Sequence, residues 1–125
     1  CKQRGLRPGV HWPYEETHFR GWTIGRWNLE HPQFWARTAF GRPWWGRGSL
    51  AYDPVMQHKL ALLDELIDRG IEVLFIDYWR TGGWGPAYEY TPPVVESYRR
   101  KFGSAPPADA KDLKWCRYVA KYQTA

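Results

Sequence analysis

An α/β fold with a buried parallel strand is what this sequence predicts, and three observations carry the prediction. Asp53-Pro54 marks a helix start, after which Val55, Met56, Leu60, Leu63, Leu66 and Ile67 recur at helical spacing and form one apolar face. Arg69-Gly70 closes that helix with a cation in the last turn and a terminal glycine. The run Ile71-Glu72-Val73-Leu74-Phe75-Ile76-Asp77 follows at once, β-branched, aromatic and nearly continuous in apolarity. Strands buried on both faces of a parallel sheet have this pattern, whereas half-exposed antiparallel strands alternate. A helix joined to such a strand by a very short turn is the second half of a βαβ unit.

Composition narrows the classes. The 125 residues include nine Trp, eight Tyr and five Phe, and 43% are hydrophobic, which excludes a disordered chain. No uninterrupted apolar stretch is longer than Val73 to Ile76, far below the roughly 18 residues a membrane span needs. Two cysteines are too few for a disulfide-built miniprotein or an all-thiolate zinc site. The net charge of +5 raises a nucleic-acid reading, but the cations are scattered. Their densest cluster, Arg99-Arg100-Lys101, falls where a helix end favours positive charge.

The chain divides into three stretches. Residues 1–50 are rich in Gly, Pro, Arg and Trp, with short extended pieces expected at Leu6–Trp12 and Gly21–Asn28. Pro32, Gly41, Pro43, Gly46 and Gly48 mark the remainder of that stretch as loop. Residues 51–80 hold the helix and the strand. Residues 81–125 begin as an aromatic loop and continue into two helices. The first runs from Thr91-Pro92-Pro93 to Phe102 and ends at Gly103, with Val94, Val95, Tyr98 and Phe102 inward. Asp109 is expected to cap the second, with Leu113, Cys116, Val119 and Ala120 on its apolar face. Cys1 in place of Met, and a last helix with no closing residue, raise the expectation of a piece from a longer parent.

Asp77 is the informative position for function. In parallel α/β folds, sites gather at the C-terminal edge of the sheet, where this carboxylate falls. Tyr78, Trp79, Arg80 and Trp84 follow it, with Gly82-Gly83 between them. Aromatic faces beside hydroxyl-bonding Asp and Arg suit a sugar ring. The plainer alternative is that Asp77 caps a turn or pairs with Arg80. Hydrolysis of a glycosidic bond requires two carboxyl groups. Asp77 is the candidate for one, and spacing leaves Glu89, Glu15, Glu16 and Glu30 open for the other. Tyr88, His11 and Trp12 are further candidates for substrate contact, and Tyr90 groups with the same loop. The four histidines lack metal-site spacing, His58 is expected on the wet face of its helix, and no metal is assigned. Gly82-Gly83-Trp84-Gly85 does not open a helix as dinucleotide loops do, there is no Gly-x-Ser-x-Gly elbow, and no cofactor is assigned. Cys116 is expected as a small buried apolar residue, with pairing to Cys1 left open.

The stretch from Leu50 through Asp53-Pro54-Val55-Met56 to Leu66, with Ile76-Asp77-Tyr78-Trp79-Arg80 after it, resembles bacterial glycosyl-hydrolase-like, family-ten-like proteins. The likeness continues through Glu30-His31-Pro32, Arg80 to Trp84, and Tyr98 to Gly103 up to Trp115, so that it spans about Leu29 to Thr124. In that family a Glu-x-Arg stands at the helix start, where this chain has Val55-Met56-Gln57. The resemblance implies a partial TIM-type (β/α)8 barrel, completed by further parent sequence. It implies an exported protein acting on or binding polysaccharide, extracellular or periplasmic, with a lipoprotein form among the options. It places Asp77 and Arg80 at the barrel mouth. A non-catalytic carbohydrate-binding module using Trp79, Trp84 and Tyr88 is the alternative, and a single-stranded nucleic-acid binder ranks third.

Overall fold

The structure is a computed structural model, and it describes residues 4–13, 25–77 and 86–122. The fold is mixed α/β. In chain order the elements are β1 (Gly9–Pro13), α1 (Arg26–Glu30), β2 (Trp35–Arg37), β3 (Pro43–Gly48), α2 (Asp53–Asp68), β4 (Val73–Asp77), α3 (Pro92–Phe102) and α4 (Leu113–Tyr122). Two short 3-10 turns, Pro32–Phe34 and Pro86–Tyr88, complete the set.

The parallel strand is present, with a partner from the start of the chain. β1 and β4 pair in parallel, Gly9 opposite Val73 through His11 opposite Phe75 to Pro13 opposite Asp77. Helix α2 lies between them in sequence and ends as its residues dictate. The Arg69 N–H donates to the Glu65 carbonyl, and Gly70 follows at φ 80°. Asp53 is the first helical residue rather than the cap, a role that falls to Tyr52 with no side-chain hydrogen bond.

Burial departs from the expectation of a strand covered on both faces. Val73 is 43% exposed and Phe75, assigned to packing by its apolarity, is 62% exposed. On α2, Val55 and Lys59 are buried while Leu60 and Ile67 stand largely in solvent. A two-stranded sheet has too little neighbouring surface to cover both of its faces, and the described residues supply no other strand to this pair.

Two expectations in the first fifty residues are corrected. Residues 26–30 form helix α1 rather than an extended piece: Arg26 and Glu30 pair at i, i+4 with 2.7 Å between Nε and Oε1, and Trp35 Nε1–H donates to the Asn28 carbonyl at 2.7 Å. The segment expected as loop contains the β2–β3 hairpin, antiparallel between Trp35 opposite Gly48 and Arg37 opposite Pro43. Its glycines and proline do specific jobs there. Pro43 begins its strand, where a missing N–H is tolerated. Six residues of β3 span three of β2, and Gly46, at φ 72°, takes the left-handed conformation this irregularity needs. The turn closes through Gly41 N–H to the Thr38 carbonyl and Arg42 N–H to Thr38 Oγ1.

The main core is aromatic. Tyr90, Val94, Tyr98, Trp115, Tyr118 and Val119 form one buried cluster between α3, α4 and the segment entering α3. The first of these helices ends on Gly103 as expected, in the left-handed conformation at φ 69°. The second differs in phase: Asp112 Oδ1 accepts the Trp115 N–H, and Asp109 bonds Lys111 instead. Its buried stripe is Trp115, Tyr118 and Val119, while Leu113 is 70% exposed and Ala120 is exposed. Cys116 is half-buried, its thiol directed to the Ala110 carbonyl at 3.3 Å. Cys1 lies outside the described residues.

Candidate functional site

Parallel pairing brings two distant pieces of sequence to one sheet edge. β1 and β4 end together, so Trp12 is opposite Ile76 and Pro13 opposite Asp77 at the C-terminal side. The backbone of Asp77 closes β4; its side chain and that of Trp12 lie outside the description, as do Tyr78, Trp79, Arg80 and Trp84. His11 is two pairs back from the edge. It is exposed, and its ring meets Phe75 at 5.2 Å between centroids with a tilt of 41°.

Glu89, a candidate for the second carboxylate from its sequence position, is completely buried. Ser49 Oγ–H donates to its Oε1 at 2.5 Å, and Thr91 Oγ1–H reaches the same oxygen at 3.4 Å. Both hydroxyls are themselves buried, and residue 89 bridges Arg37 of β2 through the backbone. Residue 89 therefore ties β2 through its backbone, and the residue after β3 and the start of α3 through its carboxylate, into one unit. Glu30, another of the carboxylates left open, is exposed and paired with Arg26, which holds the guanidinium proton more tightly through that bond. Glu15 and Glu16 lie outside the described residues.

Tyr88 immediately precedes this buried carboxylate and packs on the hairpin. Its ring lies 3.7 Å from that of Trp44, and the Arg47 guanidinium, on the same strand, sits 4.1 Å over Trp44. Trp45 is 60% exposed and meets the buried Trp35 edge-on at 6.3 Å. Tyr90, grouped with the loop aromatics from its sequence position, belongs to the core. It is 8% exposed, donates its hydroxyl to the Pro107 carbonyl at 2.8 Å, and stacks at 4.5 Å on Trp115. Burial, followed by the charge of Asp109, pushes its hydroxyl up to about 12. Tyr52 is raised by burial too, with the Arg37 guanidinium pulling in the opposite direction.

One histidine takes a different place from that expected. His58 is half-buried and stacks on Trp27 at 4.5 Å with 6° between planes, rather than standing on a wet face. His31 stacks on the same indole at 4.2 Å and donates Nδ1–H to the Trp27 carbonyl at 2.7 Å. Among the described residues no three His, Cys, Asp or Glu side chains group as metal ligands. No described helix is long and apolar enough to cross a membrane.

Sequence reasoning missed the hairpin's share of the surface. The signal was present as Trp44-Trp45 between Pro43 and Gly46, but glycine and proline spacing concealed the strand carrying it. Compared with known proteins, the chain matches no family model, no curated protein and no solved structure.

Proposed function

We propose that this chain is part of a glycoside-hydrolase-like (β/α)8 barrel of the family-ten-like kind, acting on polysaccharide at the C-terminal edge of its parallel strands. The observation that carries this reading is the parallel pairing of β1 with β4 in a register that brings residues 12–13 beside Asp77. A right-handed crossover through a helix is the usual way to connect such strands, and sites in that architecture lie at this edge. In this reading Asp77 is the catalytic or substrate-orienting carboxylate. Tyr78, Trp79, Arg80 and Trp84 provide ring stacking and hydroxyl contacts, with His11 and Trp12 on the neighbouring strand. Further strands of the parent chain cover the exposed Val73 and Phe75. Glu89, enclosed and held by Ser49 and Thr91, serves the architecture in this reading, so that the second carboxylate comes from elsewhere.

That burial also favours one alternative. With Asp77 the one candidate carboxylate at the strand edge among the described residues, a non-catalytic carbohydrate-binding protein accounts for the aromatic surface equally well. Asp77→Asn in the complete parent protein separates the two. An enzyme loses at least about a hundredfold in turnover while glycan affinity is largely kept. Unchanged hydrolysis removes Asp77 from the mechanism, and glycan binding without any hydrolysis by the unaltered protein selects the binding reading.

A further inference from the structure

The β2–β3 hairpin has a composition that its fold does not require. From Trp35 to Gly48 it contains Arg37, Arg42 and Arg47, three tryptophans and Phe40, with no Asp or Glu. A strand pair needs apolar residues on its covered face only. Here Trp45 and Phe40 are 60% and 82% exposed. Trp45 is nevertheless not a loose side chain: it leans edge-on against Trp35, which is buried and anchored by its indole N–H to the Asn28 carbonyl. A rigid, solvent-facing indole is the arrangement that stacks a ligand ring with little loss of side-chain freedom.

The charge adds selectivity. Arg37 donates to the Gly41 carbonyl at 3.4 Å, Arg47 covers Trp44, and Arg42 is exposed and makes no ion pair among the described residues. Arg42, exposed on a hairpin whose own sequence contains no acid, offers a positive charge that a neutral sugar does not use. Guanidinium binds carboxylate through paired N–H donors. The contact of Trp44 with Tyr88 places this hairpin against the turn at Pro86–Tyr88.

We propose that the β2–β3 hairpin is a binding subsite for acidic polysaccharide, with Trp45 stacking a pyranose ring and Arg42 pairing with a uronate carboxylate. This assignment rests on the carbohydrate reading above and names the substrate class within it. The hairpin is a binding surface and does not take part in bond cleavage.

The test uses the whole chain and a matched pair of probes: oligogalacturonate, and the same oligomer with its carboxyls methyl-esterified. Affinities are measured calorimetrically for the unaltered protein, Trp45→Ala and Arg42→Gln, with circular dichroism confirming that each variant is folded. The expected result is binding of the acid at least about tenfold tighter than of the ester, a preference that shrinks as salt is added. Trp45→Ala should weaken both probes by about tenfold, and Arg42→Gln the acid alone. Equal affinity for acid and ester, or binding of neutral glycans indifferent to Trp45, overturns the acidic subsite but leaves the carbohydrate reading in place. Absence of binding to any glycan by the folded protein overturns both. Tight, salt-sensitive binding of oligodeoxythymidylate without uronate binding assigns the hairpin to single-stranded nucleic acid instead.

Discussion

At the scale of single residues, one carboxylate oxygen in the core is held by specific partners. Glu89 has no exposure to solvent, and the buried hydroxyls of Ser49 and Thr91 share its Oε1. Removing a donor to a buried acceptor leaves part of its desolvation cost unmatched, so Ser49→Ala should lower unfolding stability by about 1–3 kcal/mol, measured by urea titration. A loss indistinguishable from zero would mean that Ser49 is not a necessary partner. Tyr90 makes a prediction about pH. Its folded-state proton is held up to about 12, against an ordinary value of 10.0. Between those values the unfolded chain releases the proton while the native state retains it, so the unfolded state binds fewer protons and stability falls as pH rises. The contribution is complete below pH 10 and lost toward pH 12. Alkaline titration of tyrosinate absorbance should show Tyr90 ionising after the exposed tyrosines, and Tyr90→Phe should remove that late step.

At the scale of elements, close approach decides what the hairpin tolerates. A Cβ placed on Gly48 would lie 3.0 Å from Asn28 Oδ1 and 3.0 Å from Val55 Cγ1. The end of β3 therefore touches α1 and the first turn of α2 at once, and a methyl there must push one of them away. Gly48→Ala should destabilise the chain by about 1–3 kcal/mol, read as a lower urea midpoint. Unchanged stability would show that Val55 moves aside freely. Helix α2, the end of α3 and the apolar run of β4 were legible in the sequence because each is marked locally, by Asp53-Pro54, Gly103 and β-branched continuity. The phase of α4 was not: Trp115 and Tyr118 are chosen for the inside by what α3 presents to them, and Tyr98 meets both rings edge-on. The hairpin was hidden for a related reason, since its glycines and proline mark irregularities of strand pairing as readily as loops.

At the scale of the whole molecule, the parallel pair and the aromatic core differ in how fully they are covered. The core around Trp115 is enclosed, whereas Val73 and Phe75 on β4, with Leu60 and Ile67 on α2, face solvent. Exposed apolar surface of this kind promotes association. The 125-residue chain by itself should self-associate in sedimentation experiments and bind a hydrophobic dye, and Phe75→Glu should reduce both. A strictly monomeric chain with no dye binding would argue that this face needs no cover, and would weaken the barrel reading. The candidate site was only partly legible at this scale. Asp77 at a strand end followed from the pattern, as did an extended piece over Leu6–Trp12, but the pairing of the two did not, because Gly9 to Pro13 lacks the apolar continuity of β4.

The sequence by itself determined the elements whose ends are written in neighbouring residues: the helix from Asp53 to Asp68, the strand from Val73 to Asp77 and the helix closed at Gly103. Caps, left-handed glycines and β-branched runs act over a few residues, so they can be read without knowing the rest of the chain. The tertiary structure alone decided that β1 lies beside β4, that Glu89 and Tyr90 turn inward, and that Trp45 remains outside. Those outcomes depend on contacts between segments far apart in sequence, where burial and hydrogen bonding override the local preferences of the residues involved.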